Sequence, residues 1–302
     1  MRFTAFELLA GLALDLLVGD PRWLPHPVRI VGWFTSKLEA GLRRTGISLR
    51  TAGVLLWILI VGSTAGLVWL TLPWANIYWI YALVAIRSLD SEAHKVIRHL
   101  ERSDIVSARK QLAMIVGRDT DHLDEPEIIR AVIETVSENL SDGIIAPLFY
   151  LMVGGPAAMA AYKAINTLDS MVGYRNEKYA EFGWFSAKMD DIANFLPARL
   201  TAIIVWLSSL VLWMNVGRAV RITLRDAGTQ PSPNSGFPEA AFAGAIGVQL
   251  GGVNYYSGVE SVKATMGDPE HPLNLDAYEY ARGLMFVATF WMSLFAVLVV
   301  GW

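Results

Sequence analysis

The chain contains no cysteine. Disulfides, thiolate metal sites and a cysteine nucleophile are therefore excluded, while nothing follows about compartment. Charge is also scarce: Asp, Glu, Lys and Arg make up 18% of 302 residues, and the formal net charge is −3. Such a chain lacks the basic footprint of a nucleic-acid partner. The phosphate loops G-x-x-x-x-G-K-[ST] and G-x-G-x-x-G are absent, as is G-x-S-x-G. Any use of ATP must then proceed without a Walker loop, and a serine-hydrolase elbow is excluded. His26, His94, His99, His122 and His271 show no H-E-x-x-H spacing and read as structural or solvent-facing.

What is abundant is apolar. Hydrophobic residues make up 54% of the chain, with 11 Trp and 10 Tyr. That is too apolar for an ordinary soluble domain and points to an integral membrane protein with much interfacial surface. The expected fold is all-α: a polytopic single domain over 1–302, with about four to six transmembrane or re-entrant helices. The N-terminus carries Glu7 and Asp15 and no small-residue cleavage site, so it reads as a retained helix over Phe3–Val18. Pro21, Pro25 and Pro27 make the next stretch an extended turn. Arg22, Arg29, Lys37, Arg43, Arg44 and Arg50 then place that segment on the cytoplasmic side.

Ala52–Leu72 is the clearest span, and Ile77–Ile86 returns. Residues 87–143 are polar, basic and helical in pattern, a cytoplasmic segment. Asp104 would cap one helix there. Asp124-Glu125-Pro126-Glu127 would start another, with Gly143 as its C-terminal cap. Ile144–Ala161 is apolar but broken by Gly154-Gly155-Pro156, which suits a re-entrant hairpin as readily as a crossing. Leu196–Met214 and Leu284–Trp302 are long enough to span, and Gly236–Tyr256 is small-residue-rich and suited to close helix packing. The blocks 163–199 and 215–282 each contain five Lys or Arg, so charge counting does not assign their sidedness.

Chemistry-bearing residues concentrate between Arg130 and Arg199. At 100° per residue Arg130, Glu134, Glu138 and Asp142 share one helix face, opposite Ile129, Val132, Ile133, Val136 and Leu140. Carboxylates on successive turns suit Mg²⁺, which binds through one or two carboxylates plus substrate phosphates. The plainer alternative is a solvated face pairing with Arg130. Asp190, Asp191 and Asn194 form a second group, read either as metal-bridged phosphate ligands or as compensation of a helix dipole. Asn166 and Asp169, after Lys163 and before Arg175 and Lys178, could hold a phosphorylated substrate or simply form a juxtamembrane collar. G-R-D-T contributes Arg118 and Asp119 in an expected turn, and P-S-P-N-S-G at 231–236 is a turn-rich loop.

The ordered motifs G-D-P-x-x-L-P-H-P-V, R-S-L-D-S-E-A, G-R-D-T, E-T-V-S-E-N-L-S-D-G-I-I-A-P-L-F, K-A-I-N-T-L-D-S-M-V-G-Y-R-N-E-K-Y, A-K-M-D-D-I-A-N-x-x-P-A-R and D-A-x-x-Q-P-S-P-N-S-G-F-P-E-A run from about Gly19 to Gly252. Together they resemble the CobD/CbiB family, the membrane-bound adenosylcobinamide-phosphate synthases of cobalamin biosynthesis. The resemblance implies an ATP-dependent amide ligation in the cell (cytoplasmic) membrane. Adenosylcobyric acid would be joined to (R)-1-amino-2-propanol O-phosphate or a related amino alcohol phosphate. ATP, Mg²⁺, the corrinoid and the bilayer are the implied partners, with homo-oligomerisation left open and the site expected on the cytoplasmic side.

An acyl phosphate is the chemically required activation, because a carboxylate is a poor electrophile. On this reading Glu134, Glu138 and Asp191 are the catalytic candidates. Asp142, Asp169 and Asp190, with Glu134 and Glu138, are the metal candidates. Arg118, Lys163, Asn166, Arg175, Lys178 and Lys188 are the phosphate and substrate candidates. Two other readings stand beside it. One is a non-catalytic membrane sensor similar to the AmpE proteins. The other is an intramembrane Mg²⁺-dependent prenyltransferase, whose N-x-x-x-D-x-x-x-D pattern is not clean here because Asn166 and Asp169 are three apart.

Overall fold

The computed structural model describes residues 3–21, 23–174 and 176–301. Helices dominate: α1 (Ala5–Val18), α2 (Pro27–Leu42), α3 (Leu49–Leu70), α4 (Asn76–Leu83), α5 (Ile86–Glu101), α6 (Ile105–Leu112), α7 (Glu125–Leu140), α8 (Ala146–Val172), α9 (Trp184–Ala193), α10 (Phe195–Val211), α11 (Val216–Asp226), α12 (Gly236–Ile246) and α13 (Leu275–Val300). One antiparallel pair, β1 (Leu250–Tyr256) and β2 (Val259–Met266), interrupts them. Leu49–Leu70, the continuous stretch Glu125–Val172 and Leu275–Val300 are long and apolar enough to cross a membrane. Trp184–Ala193 with Phe195–Val211 adds a fourth if the two form one broken span. The chain divides into two compact units: Met1–Arg87 with Asp142–Phe195 and Ser293–Trp302, and Ser88–Ser141 with Leu196–Met292.

In the first unit, α1 opens on a capping box. The Thr4 side chain accepts the Glu7 N–H while the Glu7 carboxylate accepts the Thr4 N–H, so two orphan donors are satisfied. With 14 residues α1 is about 21 Å long, short of the ~30 Å hydrocarbon core. The apolar core of the unit joins α3, through Ala52, Leu56, Ile60 and Val61, to the second half of α8, through Ala164, Leu168 and Val172, with Phe182 between them.

Helix α8 is broken as the diglycine suggests. Gly154 (φ −145°, ψ 18°) and Gly155 (φ 71°, ψ −168°) leave helical geometry, and Pro156 restarts the helix. A straight helix would hold Tyr150 and Tyr162 about 18 Å apart. Their rings instead stack 5.0 Å centroid to centroid at 12°. The Tyr162 hydroxyl also lies 3.4 Å from the carbonyl of Asp142, to which it donates. The segment doubles back, and of the two sequence readings the hairpin is the one realised.

In the second unit α12 is buried along almost its whole length and packs against α11 and α7. Its alanines and Gly244 permit this close approach. Asp124 and Glu127 form a reciprocal capping box at the start of α7. Two sequence expectations fail here. Gly143 does not cap α7: the helix ends at Leu140 and the chain continues as a π turn over Ser141–Ile145. Gly236–Tyr256 is not one packing helix. It is helical to Ile246 and then becomes β1, because Ser257 (φ 53°) and Gly258 (φ 77°) form a two-residue turn with both φ positive between Tyr256 and Val259. That backbone matches the twist of a hairpin, and only a Gly or a small polar residue adopts it cheaply.

Candidate functional site

The break in α8 gathers residues distant in sequence. The first turns of the hairpin follow Asp142, and its returning arm carries Tyr162, Lys163, Asn166 and Asp169. Helix α9 adds Asp190, with Asn194 at its C-terminal cap. The Asn166 amide donates to Asp142 Oδ2 at 3.2 Å and to Asp190 Oδ1 at 3.5 Å. The Asn194 amide donates to Asp190 Oδ2 at 3.0 Å, and its oxygen accepts from the Tyr162 hydroxyl at 2.8 Å. Lys163 Nζ lies 3.3 Å from the Asp142 carbonyl. Asp169 and Asp191 act electrostatically on Asp190, and Asp20, Asp142 and Asp190 act on Lys163. Three carboxylates, those of Asp142, Asp20 and Asp190, thus act on one lysine, with the Asn166 and Asn194 amides bonded to the acids.

Of the sequence candidates, Lys163, Asn166, Asp142, Asp169 and Asp190 meet in this group. Asp191 stands at its edge, paired with Lys188 at 3.5 Å, and Lys188 is 57% exposed on the outer side of α9. Lys178 is 62% exposed. It lies 3.9 Å from Glu39 and over the Tyr179 ring, with none of the gathered acids among its partners. Arg175 lies outside the described residues. Asn194, grouped with Asp190 in the sequence, joins it here, whereas Asp20 and Tyr162 carry no candidate role in the sequence. Asp20 belongs to the G-D-P turn, where His26 sits 3.1 Å from it, and the motif was the available signal.

The second unit builds a separate charged group. Glu134 is 4% exposed. Arg118 forms an ion pair with its Oε2, and the Gly251 N–H donates to its Oε1 at 2.8 Å. Arg118 also donates to Asn254 Oδ1 at 2.6 Å, and Arg130 donates to the Val253 carbonyl at 3.0 Å. Asp119 accepts the N–H groups of Ser257 at 3.0 Å and Gly258 at 2.7 Å. G-R-D-T is therefore a clamp on the β1–β2 turn. The Arg130–Glu134 side of α7, expected either to bind metal or to face solvent, docks that hairpin instead. Both oxygens of Glu134 are engaged in doing so.

Glu138 is exposed one turn further on, and Glu239 of α12 and Lys263 of β2 complete the group. Burial, with the charges of Glu138 and Glu134, pushes the Glu239 carboxyl well above its usual range. For Lys263 burial works the other way, but Glu239 and Glu138 outweigh it and hold the ammonium above its ordinary value.

Among the described residues no three His, Asp or Glu side chains converge as a ready-made metal cage. Two carboxylates joined by an amide fit a magnesium ion that takes its remaining ligands from water and substrate phosphates. Asp142 and Asp190 have that arrangement, and Lys163 beside them suits a phosphate oxygen.

The family model described as CobD/Cbib protein matches residues 8–285. The chain is 48% identical over 304 residues to "Cobalamin biosynthesis protein CobD" of Geobacter metallireducens, covering 97% of this chain and 95% of the relative. It is 47% identical to the protein of that name from Pelobacter propionicus, covering 96% and 93%. It is 43% identical to that from Clostridium perfringens, covering 97% of each. No solved structure matches it.

Proposed function

The chain belongs to the CobD/Cbib protein family, and from that membership we propose that it is an ATP-dependent amide ligase of cobalamin biosynthesis. It joins the free propionate of adenosylcobyric acid to the amine of (R)-1-amino-2-propanol O-phosphate, or a related amino alcohol phosphate, in the cytoplasmic membrane. The observation that carries the reading is the Asp142–Asn166–Asp190 bridge with Lys163 alongside, assembled by a helical hairpin within apolar sequence. A binding protein has little reason to desolvate so many carboxylates around one lysine.

The chemistry runs in two balanced steps. A propionate oxygen attacks the terminal phosphorus of ATP, and ADP leaves. The amine then attacks the acyl phosphate carbon, the C–N bond forms, the C–O bond to phosphate breaks, and inorganic phosphate departs with one proton released. Mg²⁺, when held by Asp142 and Asp190 with Asp169 nearby, offsets charge on the polyphosphate. Lys163 binds the transferring phosphoryl group, and Asn166 and Asn194 fix the two carboxylates at their separation. Tyr162 orients Asn194. Within the second unit Glu134 positions the β1–β2 hairpin.

The test uses the full chain in lipid nanodiscs with adenosylcobyric acid, the amine phosphate and MgATP, followed by mass spectrometry. The expected result is one adenosylcobinamide phosphate per ADP and per phosphate, with turnover reduced at least about 100-fold in Asp142→Asn and in Asp190→Asn. No amide product, or near-normal turnover in both variants, overturns the reading.

A further inference from the structure

Glu239 lies in the first turn of α12 and is 2% exposed, yet among the described residues no hydrogen bond or ion pair reaches its carboxylate. Leaving a buried carboxylate without a partner is costly, and such groups persist where something else completes them. Every charged group acting on it comes from a neighbouring element: Glu138 and Glu134 of α7, Lys263 of β2, and Arg118 of the loop before α7. Arg118 and Glu134 satisfy each other. Glu138, Glu239 and Lys263 remain. They feel one another's charge, but none is in hydrogen-bond or ion-pair contact with another. Glu138 is exposed on α7, so the space among the three reaches the protein surface on its side.

The charges limit what can fill that space. A divalent cation would have two carboxylates and would meet the ammonium of Lys263, and no third acidic ligand converges there. A simple anion would meet two carboxylates. A molecule with an ammonium at one end and an anionic group at the other matches all three side chains. We propose that Glu138 and Glu239 bind the ammonium of a short amine phosphate whose anionic end faces Lys263. This rests on the amide-ligation reading and names residues for that reaction's amine substrate. Burial raises the Glu239 carboxyl above its usual range, and an ammonium seated against it would lower it again, so binding is linked to proton release.

The test is calorimetric titration of the full chain in nanodiscs, without ATP or corrinoid, using 1-amino-2-propanol O-phosphate. Isopropyl phosphate, which lacks the amine, and Mn²⁺ serve as comparison probes. The expected results are proton release on binding of the amine phosphate, read from buffers of different ionisation enthalpy, and affinity at least tenfold weaker in Glu239→Gln and in Glu138→Gln. Isopropyl phosphate binding should change less than twofold in the same variants, and Lys263→Met should weaken both phosphates. Glu138 is exposed, so its variant folds even if the Glu239 variant does not. Unchanged amine affinity in Glu138→Gln, equal weakening of both phosphates, or tight Mn²⁺ binding lost in these variants overturns the site. If the chain makes no amide but binds the amine through these residues, the ligase reading fails and the site stands. If Glu239→Gln makes amide with an unchanged KM for the amine, the site fails and the ligase reading stands.

Discussion

Arg118 forms a buried ion pair with Glu134, tying the loop before α7 to the middle of that helix. The two side chains are 8% and 5% exposed, and Glu134 in turn holds the Gly251 N–H at 2.8 Å. Removing one member of a buried pair leaves an uncompensated charge, which costs about 3–5 kcal/mol. Arg118→Ala should therefore be destabilised by that order, read as a shift of the denaturant midpoint in detergent. Arg118→Met combined with Glu134→Leu should recover part of it, because both charges of the pair leave together while Arg130, 3.9 Å from Glu134, and the Gly251 N–H lose a partner. Equal loss in the single and double variants would show that the pair does not supply the stability.

Asp119 closes the same assembly from the other end. Its carboxylate takes both turn amides of the β1–β2 hairpin, and its own N–H donates to the Tyr255 carbonyl at 2.7 Å. Charge-assisted bonds of this kind are worth about 1.5–3 kcal/mol. In Asp119→Ala the amides of Ser257 and Gly258 should exchange with solvent at least tenfold faster, while amides in the buried α12 stay protected. Faster exchange spread through α12 would mean that Asp119 supports the whole unit rather than the turn.

These two clamps show what the sequence made legible. The positions of the helices followed from apolar runs, from Asp104 and Asp124 as caps, and from the diglycine break, because each is a local signal. The hairpin at 250–266 was missed although Ser257-Gly258 between β-prone stretches announces it. The small residues before it fit helix packing equally well, and β pairing depends on partners that lie elsewhere in the chain. Periodicity placed Glu134 and Glu138 on one face, but it could not separate a docked carboxylate from an open one. Arg118 and Gly251 decide that, and neither lies on α7. Glu239 was passed over for the same reason: a lone acid in an alanine-rich helix gains meaning only from Glu138 and Lys263, which fold brings near it.

Asp15 gives the fold a pH dependence. Its Oδ2 accepts the N–H groups of Ile86 at 3.0 Å and Arg87 at 3.1 Å at the start of α5. Burial first, and then the charge of Asp20, raises its pKa from 3.8 to about 7 despite those bonds. A folded-state pKa above the unfolded value means that the folded protein holds the proton more tightly. The resulting stability is complete below the unfolded pKa of 3.8 and is lost as pH rises through about 7. The loss is at most of order 4 kcal/mol, at 1.36 kcal/mol per unit. Asp15→Asn keeps an oxygen for the two N–H groups and cannot ionise. It should match wild type below about pH 4 and exceed it by a margin that grows up to about pH 7 in thermal unfolding. Parallel pH curves would assign the dependence to other groups.

Gly155 sets the geometry of the first unit's acidic group. At φ 71° and ψ −168° it occupies a region that side chains essentially exclude, and a non-glycine residue there costs about 1–3 kcal/mol. A Cβ at this position meets nothing within 4 Å, so the penalty of Gly155→Ala is conformational rather than steric crowding. The turn is what brings Asp142 to Asn166, so straightening it separates the two carboxylates that the amide bridges. The absence of cysteine makes this directly measurable. With Tyr150→Cys and Tyr162→Cys introduced together, a short bifunctional thiol reagent should join the two positions in the otherwise wild-type chain. Gly155→Ala should reduce the yield severalfold, together with ligation by a Gly155→Ala chain that retains both tyrosines. A high cross-linking yield that survives Gly155→Ala, with ligation also intact, would show that the hairpin holds its geometry without a glycine at 155.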